Sequence, residues 1–446
     1  MYYLTIDLNP FLSGGGLRRK LLLLCLFLLS LGQPVRAGDD DVPEALRPDL
    51  ERWVKQGGVA VGLNGHTQWA YHAGSFIPAS ILKLATSQAA LHHLGPDYHF
   101  RTMFYVDQGT LYVQGRGDPF LISEEWELMG QELAKAGVFA QPLQELVVDD
   151  SAFAPDQDVD GRSESLNPYD ARLGALVSNF NTVFVEKDRQ GRVTSAESQT
   201  PLTPLAVERA RRMPRGRDRI SFSNVAADGP RYSGELAMAI FARHGAVFTK
   251  ATRTGRVPSA LKPVWVHTSS RALKEVVRAM LEFSNNFVAN QLVLAMALEQ
   301  KGPPARLQDG LDILNQYLIQ QLGLAPQQFH LVEGAGLSRQ NRIDLEAMLI
   351  IVDHFYPWQN LLALHKTPGL ALPAKTGTLT GVYSLAGFLP APAGQRRPFV
   401  IMLNQSQNRR DDVMRLLARE IPQAKPLGRA LPSPNPSQQG AMLPAP

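Results

Sequence analysis

The sequence predicts an α/β protein: an antiparallel sheet flanked by helices, assembled from the two ends of the chain, with a large β-rich insertion between them. Three observations carry this. Residues 80–93 form a helical run that is apolar nearly all round, residues 372–403 hold three successive strand patterns followed by a helix, and residues 103–265 are mostly short β-type runs broken by Gly, Pro and Asp. At 446 residues the chain can hold two or three domains and bury a large core, and a 44% hydrophobic share with 19% charged residues is ordinary for a globular protein.

Taken in order, the elements begin with a leader. Arg18-Arg19-Lys20 precedes the apolar run 21–31, and Val35-Arg36-Ala37 ends on a small residue, the layout of a secretory signal peptide cleaved after Ala37. The apolar run is too short for a membrane-spanning helix, and an uncleaved membrane anchor is the alternative reading. Residues 1–16 delay the charged segment, as a start codon assigned too far upstream would. The sole cysteine, Cys25, lies inside the leader, so the mature chain is expected to have neither disulfides nor thiol chemistry. Removing Arg18, Arg19, Lys20 and Arg36 against Asp7 lowers the net charge from +4 to +1, which gives little reason to propose nucleic acid as a partner.

Residues 59–63 and 68–71 read as a hairpin turned by Asn64-Gly65. The helix 80–93 follows, with Ser80 at its start, a position where Ser is also favoured simply as a cap. Within the insertion, residues 103–106, 110–114, 146–148 and 183–185 read as strands and 124–135 as a helix. Arg209, Arg211, Arg212, Arg215 and Arg217 make a solvated basic loop, with docking onto an anionic polymer as the alternative. Helical periodicity returns at 272–300 and 308–322. Strands at 372–378, 384–389 and 398–403 precede a helix at 411–420, after which a Pro, Ser and Gln tail reads as disordered and without an amphipathic membrane anchor. The expected division is a discontinuous domain, 45–102 with 266–421, an inserted 103–265, and a tail 422–446.

Three short strings carry chemistry: Ser80-Ile-Leu-Lys83, Ser284-Asn285-Asn286 and Lys375-Thr376-Gly377. Imitations exist at Ser259–Lys262, Ser406–Asn408, Ser433–Asn435 and Arg253–Gly255, so context decides. Near a helix N-terminus Ser80 and Lys83 share a face, the geometry of a serine nucleophile with a lysine base. A lysine near pKa 10.4 must be lowered by roughly 3 units to serve at neutral pH, on the order of 4 kcal/mol. Burial and a nearby cation both push that way, and Lys375 is the obvious cation. Lys262, after Pro258 in a loop, has neither.

Ser284 and Asn286 fall between two helical runs, where a loop can aim both side chains into one cleft; an N-cap Ser with a helix-start Asn is the structural alternative. Lys375-Thr376-Gly377-Thr378 lies on a strand, where Gly377 leaves room for a substrate and the two hydroxyls beside a positive charge suit a terminal carboxylate; an exposed edge strand is the alternative. Gly-x-Ser-x-Gly, His-Glu-x-x-His, Walker and dinucleotide fingerprints are missing, and the ten histidines are scattered, so neither metal nor cofactor is implied.

The three strings together form a signature of penicillin-binding proteins and serine β-lactamases. Their flanks, Pro78–Leu84, Leu94–Thr102, Gly115-Arg-Gly-Asp-Pro119, Leu173–Asn181, Glu333-Gly-Ala-Gly-Leu-Ser-Arg339 and Ala374–Gly387, resemble the class C low-molecular-mass penicillin-binding proteins, the D-alanyl-D-alanine carboxypeptidase/endopeptidases, over residues 45–420. The long gap between Ser80 and Ser284 is a trait of that family, which inserts domains there. The resemblance implies a penicillin-binding/β-lactamase-like catalytic domain. It implies that Ser80 attacks the D-Ala-D-Ala carbonyl, Lys83 accepts its proton, Ser284 relays a proton to the departing D-alanine, and Asn286 holds the substrate amide. It further implies that Lys375, Thr376, Gly377 and Thr378 bind the carboxylate end and that the N–H groups of Ser80 and Thr378 form an oxyanion hole. Asp149 and Arg339 are its candidates for recognising the peptide side chain. The chain departs from the family at Glu333, Ala335, Arg116 and Phe120, and its insertion is shorter, which puts the smaller subdomain in question.

The implied partners are peptidoglycan stem peptides and β-lactam antibiotics, in the periplasm, with no stable membrane anchor. A serine β-lactamase, which shares the acylation residues, and a non-catalytic peptidoglycan-binding protein are the competing readings.

Overall fold

Asn64 and Gly65, with φ of 50° and 84°, close the expected hairpin in the left-handed conformation that a two-residue turn requires. The computed structural model describes residues 41–155, 157–392 and 394–420, with the backbone of 429–430; the leader 1–37 and the rest of the tail lie outside the described residues. The chain opens with α1 (Arg47–Trp53), β1 (Gly57–Leu63), β2 (His66–Tyr71) and β3 (Ser75–Phe76). A 3-10 turn, Ala79–Leu82, then runs into α2 (Lys83–Leu94).

The middle of the chain holds β4 (His99–Asp107), β5 (Thr110–Gln114), α3 (Ser123–Lys135), β6 (Glu145–Asp149), β7 (Thr182–Lys187) and β8 (Val193–Ser195). It continues with α4 (Pro204–Ala210), β9 (Gly216–Ser221), α5 (Asp228–Arg243), β10 (Arg253–Thr254) and β11 (Trp265–Ala272). After it come α6 (Leu273–Phe283), α7 (Asn286–Lys301), α8 (Leu307–Gln320), β12 (Phe329–His330), β13 (Arg342–Asp344) and α9 (Leu345–His354). The chain ends in β14 (Leu364–Thr367), β15 (Leu370–Leu379), β16 (Val382–Phe388), β17 (Pro398–Leu403), α10 (Arg410–Glu420) and β18 (Arg429–Ala430).

The principal sheet is antiparallel, in the order β14-β15-β16-β17-β1-β2-β18. Its two halves come from opposite ends of the sequence: Val59 on β1 pairs with Ile401 on β17. One face packs Trp69, Leu385, Phe399 and Ile401 against Leu50 of α1 and Val413 and Leu417 of α10. The other is covered by α9, and α2 lies farther in, buried from Lys83 through Leu91 among α6, α7 and α8. That position explains why α2 is apolar nearly all round: from Lys83 to Leu91 no side of it reaches water, and only its last turn, at His92, is exposed. The pair 429–430 adds a short strand to the sheet edge, within the tail expected to be disordered.

The insertion holds a five-stranded mixed sheet, β10-β6-β5-β4-β11, and a three-stranded sheet, β8-β7-β9. Trp126, Phe104, Phe222, Tyr232 and Phe241 fill its core. The insertion also holds the helices α4 and α5, which are not among the elements read from the sequence. Pro230 sits in the first turn of α5, where no N–H is needed. Gly234 is required by packing, since a Cβ there would lie 2.2 Å from Thr252 Oγ1. The strand β11 leads directly into α6 and so delivers Ser284 to the edge of the principal sheet.

Candidate active site

Ser80 is held in a short turn clamped from three sides. The backbone of Ile77 donates to Asn404 Oδ1 (2.9 Å) and accepts from Asn404 Nδ2 (3.2 Å). Gly336, with φ of 77°, approaches so closely that a Cβ would lie 1.9 Å from the Ala79 carbonyl oxygen; one at Gly377 would lie 3.0 Å from Ser80 N. Ser80 thus sits between the loop 333–341 and β15. No side chain caps the turn or α2, so the simple capping role for Ser80 is not what the structure shows.

Lys83 is wholly buried. Its Nζ lies 2.9 Å from Ser80 Oγ, 2.7 Å from Asn286 Oδ1 and 2.8 Å from the Ala335 carbonyl. Burial, and then the charge of Lys375, push it well below the ordinary lysine value, with Glu333 opposing. Two of the three neighbours, the Asn286 amide oxygen and the Ala335 carbonyl, can only accept. A neutral amine has two N–H groups for them and one lone pair, which falls to the Ser80 hydroxyl.

The Ala335 carbonyl is positioned by Glu333, a residue the sequence marked only as a departure from the family pattern. Its carboxylate is fully buried. Oε2 accepts from Ala335 N (2.7 Å) and Asn290 Nδ2 (3.0 Å), and Oε1 from Leu337 N (2.6 Å), Ser338 N (3.2 Å) and Asn341 Nδ2 (2.7 Å). Asn290 Oδ1 in turn accepts from Gly334 N (2.8 Å), and Thr86 of α2 donates to the Gly334 carbonyl (2.6 Å). One carboxylate therefore folds the loop 333–341 and ties it to α7, and the loop's backbone ties it to α2.

Ser284 ends α6 in the left-handed conformation, φ 53°, and the cap of α7 is Asn285, whose Oδ1 accepts from Val288 N (3.1 Å). Capping is therefore assigned to the middle residue of the string. This leaves Ser284 Oγ to accept from Lys375 Nζ (2.9 Å) and Asn286 Oδ1 to accept from Lys83. Lys375 is also buried, and burial followed by the charge of Arg410 lowers it to about 7. Arg410 donates to the Gly377 carbonyl (3.1 Å) and to Thr378 Oγ1 (2.8 Å), adding a second cation beside Lys375-Thr-Gly. The sequence does not reveal it, because nothing local to the start of α10 shows that it lies over β15.

Asp149 is not at the cleft. It is 1% exposed, and its carboxylate accepts from Gln114 Nε2 (3.1 Å), Ser151 N (2.9 Å) and Val257 N (2.8 Å), which makes it a brace inside the inserted sheet. Arg339 lies at the mouth, exposed, donating to the Thr380 carbonyl past the end of β15. The insertion acid that meets the loop 333–341 is Asp160, which accepts from Ser338 Oγ and from Gln340 Nε2 (3.2 Å). The imitation Ser259–Lys262 lies in an exposed turn, and Arg253-Thr254 on an edge strand. Among the described residues no three His, Cys, Asp or Glu side chains converge as metal ligands would.

The family model for D-Ala-D-Ala carboxypeptidase 3 (S13) matches residues 45–210, 212–371 and 358–420. A D-alanyl-D-alanine carboxypeptidase of Actinomadura sp. (strain R39) is 27% identical over 475 aligned positions, covering 87% of this chain and 88% of the relative. The D-alanyl-D-alanine carboxypeptidase DacB of Haemophilus influenzae is 30% identical over 155 residues, 30% of this chain and 32% of that protein. The crystal structure of penicillin binding protein 4 from Haemophilus influenzae has a TM-score of 0.64 at 20% identity, covering 81% of this chain and 93% of that one. At that identity the likeness is one of fold, and it is the penicillin-binding α/β class expected from the sequence.

Proposed function

The chain belongs to the D-Ala-D-Ala carboxypeptidase 3 (S13) family and is a serine-type DD-peptidase of peptidoglycan remodelling, and from that premise we propose how its residues divide the reaction. The observation that carries the proposal is the threefold contact of buried Lys83 with Ser80, Asn286 and Ala335. Neutral Lys83 takes the Ser80 proton as Oγ attacks the carbonyl of the penultimate D-alanine. The tetrahedral oxyanion forms between the N–H groups of Ser80 and Thr378, where one donor is worth about 3 kcal/mol. Gly336 and Gly377, close against this turn, let both backbones approach it.

Ser284 then passes a proton to the departing D-alanine nitrogen, the C–N bond breaks, and an acyl-enzyme remains on Ser80 for water to hydrolyse. Lys375 orients Ser284. With Thr376, Thr378 and Arg410 it holds the terminal carboxylate, while Asn286 orients Lys83 through Oδ1 and offers Nδ2 to the substrate amide. Side-chain recognition falls to Arg339 with Asp160, next to the small hollow formed by Val159, Arg162, Tyr169 and Leu337 beside Asn286. In this reading residues 45–102 with 266–421 are the catalytic domain and 103–265 the insertion. The leader 1–37 delivers the enzyme to the periplasm, and β-lactams acylate the same serine.

The test uses the protein lacking residues 1–37, treated with labelled penicillin and then with a stem peptide ending in D-Ala-D-Ala. A stable adduct absent from Ser80→Ala, with release of D-alanine, is the expected result. Fast turnover of penicillin would instead indicate a β-lactamase, and the absence of any labelling would remove the catalytic reading.

A further inference from the structure

Three successive residues of the insertion, none of them glycine, stand in the left-handed conformation: Asn179, Phe180 and Asn181, with φ of 48°, 56° and 51°. Asparagine tolerates that region, whereas a bulky aromatic residue enters it only with backbone strain. Such strain persists where the surroundings over-determine it, and it concentrates at functional positions. Here the insertion's core pins the turn on both sides of Phe180. Asn179 N donates to the Leu121 carbonyl (3.0 Å), its Oδ1 accepts from Ser123 N (2.9 Å), and its Nδ2 donates to Tyr232 OH (3.0 Å). Beyond Phe180, the Asn181 carbonyl accepts from Phe222 N (2.8 Å), and just before the turn Ser178 Oγ accepts from Trp126 Nε1 (2.9 Å).

What the strained turn fixes is the place of the Phe180 ring. It stands edge to face between two others, 5.6 Å from Phe120 of the insertion at 85° and 5.8 Å from Phe287 of α7 at 83°. Phe120 is backed in turn by the Arg271 guanidinium, 5.6 Å from its ring centre. Phe287 is buried and directly follows Asn286, the first residue of α7, whose Oδ1 accepts from Lys83. Four residues further on, Gln291 Nε2 donates to the Gly174 carbonyl (2.9 Å). Phe287 and Gln291 therefore share the side of α7 that meets the insertion.

We propose that Phe180 is a positioning residue for acylation: the strained turn sets its ring against Phe287, which fixes where α7 begins and so holds Asn286 against the amine of Lys83. The inference rests on Lys83 as the base and Asn286 as the group that orients it. Because Asn286 Oδ1 engages one N–H of Lys83, a displacement at the start of α7 reaches the lone pair aimed at Ser80. A misplacement of about 1 Å in such an arrangement can cost about 10²-fold in rate. Residues far from the cleft thereby support the base, and the insertion contributes to the chemical step without touching the substrate.

The test is a double-mutant cycle on the full chain. Rates of acylation by benzylpenicillin are followed by intact mass in the wild type, Phe180→Asn, Asn286→Ala and the double variant, with thermal midpoints measured beside them. Asparagine suits the left-handed backbone and removes the ring, so it separates the ring's contact from the integrity of the turn. Phe180→Asn should slow acylation at least about tenfold in the wild-type background. In the Asn286→Ala background it should slow it less than about twofold, because the residue through which Phe180 acts is gone. Phe180→Leu, which keeps apolar bulk, carries the same comparison where the asparagine variant loses its thermal transition. Equal slowing in both backgrounds, or undiminished acylation without the ring, would overturn the proposal. Acylation of Ser80→Ala, or none of the wild type, would instead overturn the assignment of the nucleophile, a failure visible before any Phe180 variant is measured.

Discussion

Lys83 Nζ lies 2.7 Å from Asn286 Oδ1, a contact that spans 203 positions of sequence and joins the first string to the second. Because the amide oxygen can only accept, it holds one lysine N–H away from Ser80 and leaves the lone pair pointed at the hydroxyl. The Ala335 carbonyl does the same with the other N–H.

Replacing Asn286 by Asp should therefore change the base itself. A carboxylate at this distance favours the charged lysine, commonly by 1–3 units. The acidic limb of the pH profile for penicillin acylation should move to higher pH in Asn286→Asp. In Asn286→Ala the limb should stay lower while the rate falls by about 10²-fold. Acylation rates measured from pH 5 to 10 distinguish the two, and an unshifted limb in Asn286→Asp would count against Lys83 as the base.

Lys375 sets the opposite limb. Its value of about 7 means that raising the pH through neutrality removes the cation beside Ser284. kcat/KM for a carboxylate-terminated peptide should fall above about pH 7, and Lys375→Arg, whose charge persists, should lose that limb. The same shift has a stability consequence. Between about 7 and the ordinary lysine value of 10.5 the unfolded chain holds the proton and the folded chain does not, so the unfolding free energy rises with pH in that window. Thermal midpoints at pH 7 and 9.5 should show this rise in the wild type and a smaller one in Lys375→Met.

Glu333 combines stability and activity in one group. Glu333→Ala leaves five donors around a cavity and should cost about 3–5 kcal/mol, while Glu333→Gln, which keeps the volume but loses the charge-assisted bonds, should cost about 2 kcal/mol. Denaturant titration measures both. Since Glu333 is the group that holds the Lys83 value up, Glu333→Gln should also shift the acidic limb of acylation to lower pH.

Gly336→Ala tests the clamp on the nucleophile. A methyl group there would meet the Ala79 carbonyl at 1.9 Å, at a backbone φ of 77° that disfavours alanine. The Ser80 turn should shift, with acylation falling at least 10²-fold while the circular dichroism of the rest of the chain is retained. Normal acylation in this variant would show that the clamp is dispensable.

Much of this enzyme was determined locally. The Asn64-Gly65 turn, the largely apolar α2 and the strands β15 to β17 follow from turn chemistry and hydrophobic period, which are short-range properties of a chain, and the family signature is legible as a resemblance of three short strings. The pairing of Ser80 with Lys83 belongs here too, since positions three apart in a helical turn share a face, whereas the burial of Lys83 depends on α6, α7 and α8. What only the tertiary structure decided is which distant groups complete those local ones. Glu333, a mere departure in the sequence, became the carboxylate that folds the loop carrying Ala335. Arg410 crossed to β15, and Asp149 turned inward as a brace while Asp160 took the position beside the loop 333–341. Within α5, Gly234 leaves the space into which Thr252 packs, where a Cβ would stand. For Glu333, Arg410, Asp149 and Asp160 the physical reason is common: a buried polar or charged group is stable only with partners, and the fold, not the neighbouring residues, determines which partners come within hydrogen-bonding distance.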